Sequence, residues 1–275
     1  MRTSSTQSST QNNNKTNKMA QATLVSKLNV GSIGYDKIKP KGKGKIVHMN
    51  YNGSMIRLQI PNTRVPFGLS TYENEKDGSK KYSMELTLGG NSKMDSFREK
   101  LESLDNRNVD TIVSNGKAWL GEDKTKAVVE GALYGSLIKP DKKGESPPRF
   151  KIKLPIWEGK PMFTVYDSDH NVVKTYDMVD GEPVLNWDWA QNGMEIRTIA
   201  ECEGLWVVNK NVYCTWRAVQ IHVTKKSNRL TEFAFQDEDD DADDTADVVE
   251  SDDNDESLEE DDIDSMAESE VDETD

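Results

Sequence analysis

Lys37, Lys39, Lys41, Lys43 and Lys45 occupy every second position of one stretch. In an extended chain alternate side chains share a side, so the five ammonium groups would stand in a comb roughly 6.5–7 Å apart. Such a comb suits a polyanion with regularly repeated charges, although a flexible lysine loop or a nuclear-localisation segment accounts for it equally well. A second set joins Lys139, Lys142 and Lys143 to Arg149, Lys151 and Lys153. The last three alternate with Phe150, Ile152 and Leu154, which puts three cations on one strand face and three apolar groups on the other. The competing reading is an ordinary solvated sheet face. A third set, Lys225, Lys226 and Arg229, marks a charge boundary as readily as a site.

Aromatic side chains supply the other half of polyanion chemistry, where the polyanion is a nucleic acid. Flat rings stack on unpaired bases for about 1–3 kcal/mol each, beside cations that follow the backbone. The chain has six tryptophans and eight tyrosines. Tyr134, Trp157, Trp206 and Trp216 lie near cations in sequence and are the stacking candidates, each weighed against a place in the core. Trp187 and Trp189 alternate around Asp188 and so share a face, as a core corner or as an exposed pair.

Catalytic and metal chemistry find no support. Cys202 and Cys214 have no metal-ligand spacing and fit reduced thiols. His48, His170 and His222 belong to no ligand motif, and no phosphate-binding glycine loop or nucleophile elbow occurs. Asp167 and Asp169 are explained by turn chemistry. No enzyme and no cofactor is expected.

Charge is divided unevenly along the chain. Residues 237–275 hold 23 Asp or Glu and neither Lys nor Arg, within a total of 49 acidic and 35 basic side chains. Without that tail the body carries 35 basic against 26 acidic groups, about +9. A basic body attracts polyanions, and a tethered polyanion competes with them.

The elements that must hold these residues are mostly strands. Residues 46–50 and 54–60 flank Tyr51-Asn52-Gly53, a hairpin signal. Tyr82, Met84, Leu86 and Leu88 alternate with polar residues, a half-buried strand ended by Gly89-Gly90. Asn91 or Ser92 caps a helix whose stripe is Met94, Phe97, Leu101 and Leu104. A weaker helical signal covers 109–115. Strands follow over 149–154, 163–167 and 172–176, the last two joined by a turn at 167–171, then a long pair over 195–208 and 212–224 around Asn209-Lys210-Asn211. Many short strands with one or two helices favour a closed or nearly closed β-barrel. The expected organisation is a disordered polar segment at 1–23, one domain at 24–235 and a disordered acidic tail at 236–275. The first segment lacks the apolar run of a signal peptide, and no stretch approaches membrane-spanning length.

The order of these pieces resembles the single-stranded DNA-binding proteins of podophages and, more closely, their counterparts in nucleocytoplasmic large DNA viruses. The resemblance rests on Tyr134-Gly-Ser-Leu-Ile-Lys139-Pro, Pro148-Arg-Phe-Lys-Ile-Lys-Leu154, Phe163-Thr-Val-Tyr-Asp167, the strand pair from Gly204-Leu-Trp206 to Val223, and the acidic tail. It implies a mainly β chain, an OB-fold-like five-stranded barrel with extra strands and one or two packing helices, flanked by disordered termini. It also implies sequence-independent binding of single-stranded DNA in replication, recombination or repair, and a tail that docks replication proteins. Phage tails of this kind finish on an aromatic residue, whereas the nearest aromatic here is Phe235, ahead of the acidic run.

The candidate contacts are therefore Lys37, Lys39, Lys41, Lys43, Lys45, Tyr134, Lys139, Lys142, Lys143, Arg149, Lys151, Lys153, Trp157, Trp206, Trp216 and Lys225. A 39-residue tail reaches roughly 35 Å as a random coil, far enough to fold over its own groove. Displaced by DNA, it would meet basic patches of a polymerase, primase or helicase. The rival is an acidic-tailed chaperone for basic proteins such as histones, for which a body of about +9 has little use. No membrane partner is expected, a homodimer is left open, and the place of action would be intracellular, at sites of DNA replication in nucleus or cytoplasm.

Overall fold

The computed structural model describes residues 22–75 and 77–227. The expected polar segment at the start, the acidic tail and Arg229 lie outside the described residues.

The chain begins with strand β1 (Thr23–Leu24), β2 (Ile33–Tyr35), β3 (Lys39–Lys41), β4 (Gly44–Val47), β5 (Met49–Tyr51), β6 (Ser54–Met55) and β7 (Arg57–Arg64). The expected hairpin is β5–β6, with Asn50 opposite Met55 and Tyr51 opposite Ser54. Asn52 and Gly53 both adopt positive φ, as a two-residue turn matched to strand twist requires. Strands β8 (Ser70–Glu73) and β9 (Lys80–Thr87) follow, then helix α1 (Ser92–Ser114), α2 (Gly116–Leu120) and α3 (Lys126–Val128).

Asn91 caps α1, its side chain accepting from the backbone N–H of Lys93 and Met94 at 3.1 and 3.0 Å. The helix does not stop after Leu104. It runs unbroken to Ser114 and absorbs the second helical signal as its last turns. The polar run Asp105-Asn106-Arg107-Asn108 hid this continuity, because two of its members turn inward and are satisfied there. Tyr35 Oη donates to Asn108 Oδ1 at 2.7 Å, and Asn108 Nδ2 donates to Tyr134 Oη at 2.8 Å. Val109 and Ile112 then continue the buried stripe.

The second half contributes β10 (Tyr134–Gly135), β11 (Arg149–Leu154), β12 (Ile156–Trp157), β13 (Lys160–Pro161), β14 (Thr164–Tyr166), β15 (Tyr176–Val179), β16 (Glu182–Leu185), β17 (Glu195–Val208) and β18 (Asn211–Lys225). No strand forms over 172–175. Only Val172 bridges back to Tyr166, and the next strand starts at Tyr176 to form the β15–β16 hairpin. The turn before it is as expected: Asp167 Oδ1 accepts from the N–H groups of Asp169 and Asn171, both at 2.9 Å.

Strands β17 and β18 are the spine of an eleven-stranded, mixed sheet whose main path is β1-β7-β17-β18-β11-β9-β8. Along its first half β17 pairs with β7, and past Gly204 it pairs with β4 instead. The register shifts between Cys202 and Gly204. Gly204 has φ 125°, and a Cβ there would lie 2.4 Å from the Val47 carbonyl oxygen, so this changeover requires glycine. The architecture is the mainly β one expected, with extra strands and a long packing helix. Against one face of the sheet the α1 stripe buries Phe97, which meets Phe150 edge-on at 5.5 Å. Cys202 and Cys214 are free and buried there, 3.9 Å apart.

Candidate nucleic-acid interface

Strand β11 has the alternation expected of it. Phe150, Ile152 and Leu154 enter the core, while Arg149, Lys151 and Lys153 stand half-buried on the opposite face. The neighbouring strands give that face more charge. Lys151 lies opposite Glu85, and Arg149 Nε is 2.8 Å from Glu85 Oε2. Lys153 lies beside Arg217 of β18, with its Nζ 4.0 Å from Glu203 Oε2. Arg217 and Arg57 both pair with Glu201. Five cations and three carboxylates thus share the face. Among these eight groups the excess is about two positive charges, less than three unopposed cations on one strand suggested.

The loop before β11 closes onto it, because Lys139 and Arg149 exchange backbone hydrogen bonds at 2.8 Å in both directions. Asp141 organises the turn by accepting from the N–H groups of Glu145 and Ser146. Those backbone bonds hold its carboxyl below the ordinary value. Lys142 and Lys143 are left exposed at the tip. The loop and the strand face are therefore brought together as expected.

The lysine comb is not a comb. Strands β3 and β4 fold back on each other, with Lys39 opposite Ile46, Pro40 opposite Lys45 and Lys41 opposite Gly44. Lys37 precedes this hairpin, Lys43 sits in its turn, and Lys45 is on the returning strand, so the five lysines do not share one line. The residues between them explain the fold. Gly42, with φ 53°, makes the turn, and Pro40 and Gly44 offer no apolar anchor to hold an extended strand against the core. All five remain exposed.

Two of the four stacking candidates are interior, and a third, Tyr134, is half-buried against the core. Trp216 is 2% exposed and meets Phe150 edge-on at 6.0 Å. Trp206 is buried, with Lys41 Nζ 5.2 Å from its ring centroid. Tyr134 Oη donates to Asp105 Oδ1 at 2.6 Å, and Ser136 Oγ donates to Asp105 Oδ2 at 2.7 Å. Burial pushes the Tyr134 phenol well above its ordinary value. Burial also raises the Asp105 carboxyl, and the hydrogen bonds from Tyr134 and Ser136 only partly oppose it. These three rings hold the structure together, and the two buried indoles offer no face to a base. Trp157, half exposed on the β12–β13 hairpin, is the remaining candidate. Trp187 and Trp189 form the core corner, packed with Tyr82 and Phe163 at centroid distances of 4.8 to 6.4 Å. Lys225, at the end of β18, is exposed, with its Nζ 3.8 Å from Glu195 Oε1.

Arg57 and Arg217 were missed in the sequence. Neither belongs to a basic cluster, and only the register of β7, β17 and β18 places them on the β11 face. The ring pair His170–His222, 4.9 Å between centroids, was equally invisible. Among the described residues no group of three or more His, Cys, Asp or Glu could hold a metal ion, and no helix is long and apolar enough to cross a membrane.

No family model matches the sequence, and neither does any curated protein. Among solved structures the chain is similar to the single-stranded DNA-binding protein from bacteriophage Enc34 in complex with ssDNA, with TM-score 0.40 and 11% identity over 70% of this chain and 97% of that one. It is also similar to gp2.5, a single-stranded DNA-binding protein encoded by bacteriophage T7, with TM-score 0.40 and 9% identity over 66% and 98%.

Proposed function

We propose that this protein binds single-stranded DNA without regard to sequence and acts in DNA replication, recombination or repair. The observation that carries this reading is the outer face of β11. Arg149, Lys151 and Lys153 project from a strand whose alternate residues are locked in the core, beside Arg217 and the exposed Lys142 and Lys143. Cations on a rigid sheet suit a backbone of regularly spaced phosphates better than cations on a flexible loop, because less side-chain and loop ordering is lost on binding. Each phosphate neutralised releases counterions, so affinity falls by about 0.7 log units per log unit of salt per contact.

The domain at 24–235 is the binding unit in this reading, and the acidic tail is its regulator. The tail competes for the same cations and, when displaced, docks basic patches of a polymerase, primase or helicase. The test is a titration of dT oligonucleotide into full-length protein and into residues 1–236, at two salt concentrations and with duplex as control. Salt-sensitive binding of single strands, tighter without the tail, is the expected result. No binding by either form removes the proposal and directs attention to basic-protein partners of the tail.

A further inference from the structure

Glu201 lies on the outer face of the sheet yet is only 1% exposed. Two arginines cover it. Arg57 Nε donates to its Oε2 at 2.6 Å. Arg217 donates to its Oε1 through an Nη at 2.6 Å and through Nε at 3.2 Å. Burial raises the carboxyl's proton affinity, but the hydrogen bonds and charges of Arg217 and Arg57 outweigh it, so its pKa lies below the ordinary glutamate value.

Register explains the arrangement. Glu201 of β17 is opposite Arg57 on β7 and Arg217 on β18, and Arg217 is opposite Lys153 on β11. The row Arg57, Glu201, Arg217, Lys153 therefore crosses four adjacent strands. With strands about 4.8 Å apart, it spans roughly 14 Å at right angles to them. The side chains of Arg57, Arg217 and Lys153 are 36%, 39% and 32% exposed. A guanidinium has five N–H donors, so each arginine keeps donors beyond those given to Glu201.

We propose that this row is a binding site for the phosphodiester backbone of single-stranded DNA, and that Glu201 is its positioning residue. The inference rests on the function proposed above. Glu201 fixes the two guanidiniums in the free protein, so their ordering is complete before DNA arrives. The remaining donors of Arg57 and Arg217, together with Lys153, then meet phosphates of a strand that crosses the sheet perpendicular to β17 and β18.

The sign of one substitution separates this role from simple electrostatics. Glu201→Gln removes one negative charge from a surface that binds a polyanion, which by net charge alone tightens binding. Positioning gives the opposite sign. With full-length protein and a fluorescently labelled dT oligonucleotide, Glu201→Gln should bind three- to tenfold more weakly, and Glu201→Asp should recover part of the loss. Equal or tighter binding by Glu201→Gln overturns the positioning role. Thermal melting shows whether the Gln variant folds. Should it not, Arg57→Ala and Arg217→Ala, both at half-exposed positions, decide the matter. Each should lower the salt slope by about 0.7, and unchanged affinity and slope in both overturn the row. Absence of dT binding by the unaltered protein at low salt overturns the underlying function as well, whereas wild-type binding with unaffected variants overturns only this inference.

Discussion

Two stretches of the chain carry cations at alternate positions, and they fold in opposite ways. Lys37 to Lys45 becomes a hairpin that scatters its lysines, whereas Arg149 to Lys153 becomes a strand that holds its cations on one face. The difference lies in the residues between. Phe150, Ile152 and Leu154 tie β11 to the core, so a slip of one residue would bury three charges and expose three apolar groups. Between the lysines of the first stretch only Ile38 packs against the core; Pro40, Gly42 and Gly44 impose no such penalty, and Gly42 makes the turn. Alternating charge makes a binding face only where alternating hydrophobicity fixes it.

That contrast can be broken most severely on β11. Lys151→Glu with Lys153→Glu should weaken single-strand binding by at least about 100-fold, since two charge-assisted contacts at about 1.5–3 kcal/mol each are lost, with a modest fall in melting temperature because the new carboxylates face Glu85 and Glu203. Equilibrium binding at fixed salt measures it. Alanine at Lys39, Lys41, Lys43 and Lys45 together should cost only about two- to fivefold, because exposed cations that do not share one line are screened. The same variant should alter Trp206 fluorescence, because Lys41 sits over that ring.

The interior aromatics sharpen the comparison from the other side. Tyr134→Phe removes the hydroxyl that bridges Asp105 and Asn108 and should cost about 1–3 kcal/mol of stability with no change in DNA affinity. Chemical denaturation and a binding titration read the two effects separately. The smallest expected effect is on acid stability. Glu201 has a lowered folded pKa, so its contribution is fully present above the ordinary glutamate value and fades as pH falls through the lowered one. Acid unfolding followed by tryptophan fluorescence should show less pH dependence in Glu201→Gln.

Local pattern made much of this legible in advance. Apolar alternation revealed β9 and β11, the Asn52-Gly53 turn revealed β5–β6, and the Asn91 cap with its apolar stripe revealed the start of α1. Features that depend on contacts across the chain were hidden. The inward turn of Asp105 and Asn108 concealed the length of α1, because a polar residue satisfied in the core looks in sequence like a solvent-facing one. Arg57, Glu201 and Arg217 lie 144 and 16 residues apart along the chain, and only strand register joins them. Burial of Trp206, Trp216 and Tyr134 was equally a matter of packing, since a ring suited to stacking is also suited to a core.

The most direct measurement compares the two cationic stretches in one experiment. Full-length protein is labelled with an amine-reactive reagent, with and without a saturating dT oligonucleotide, and each lysine is quantified by mass spectrometry. Strong protection of Lys151 and Lys153, clear protection of Lys142 and Lys143, and weaker protection of Lys37 to Lys45 are expected. Protection confined to the hairpin lysines, or none at Lys151 and Lys153 while DNA is bound, would contradict binding at the β11 face.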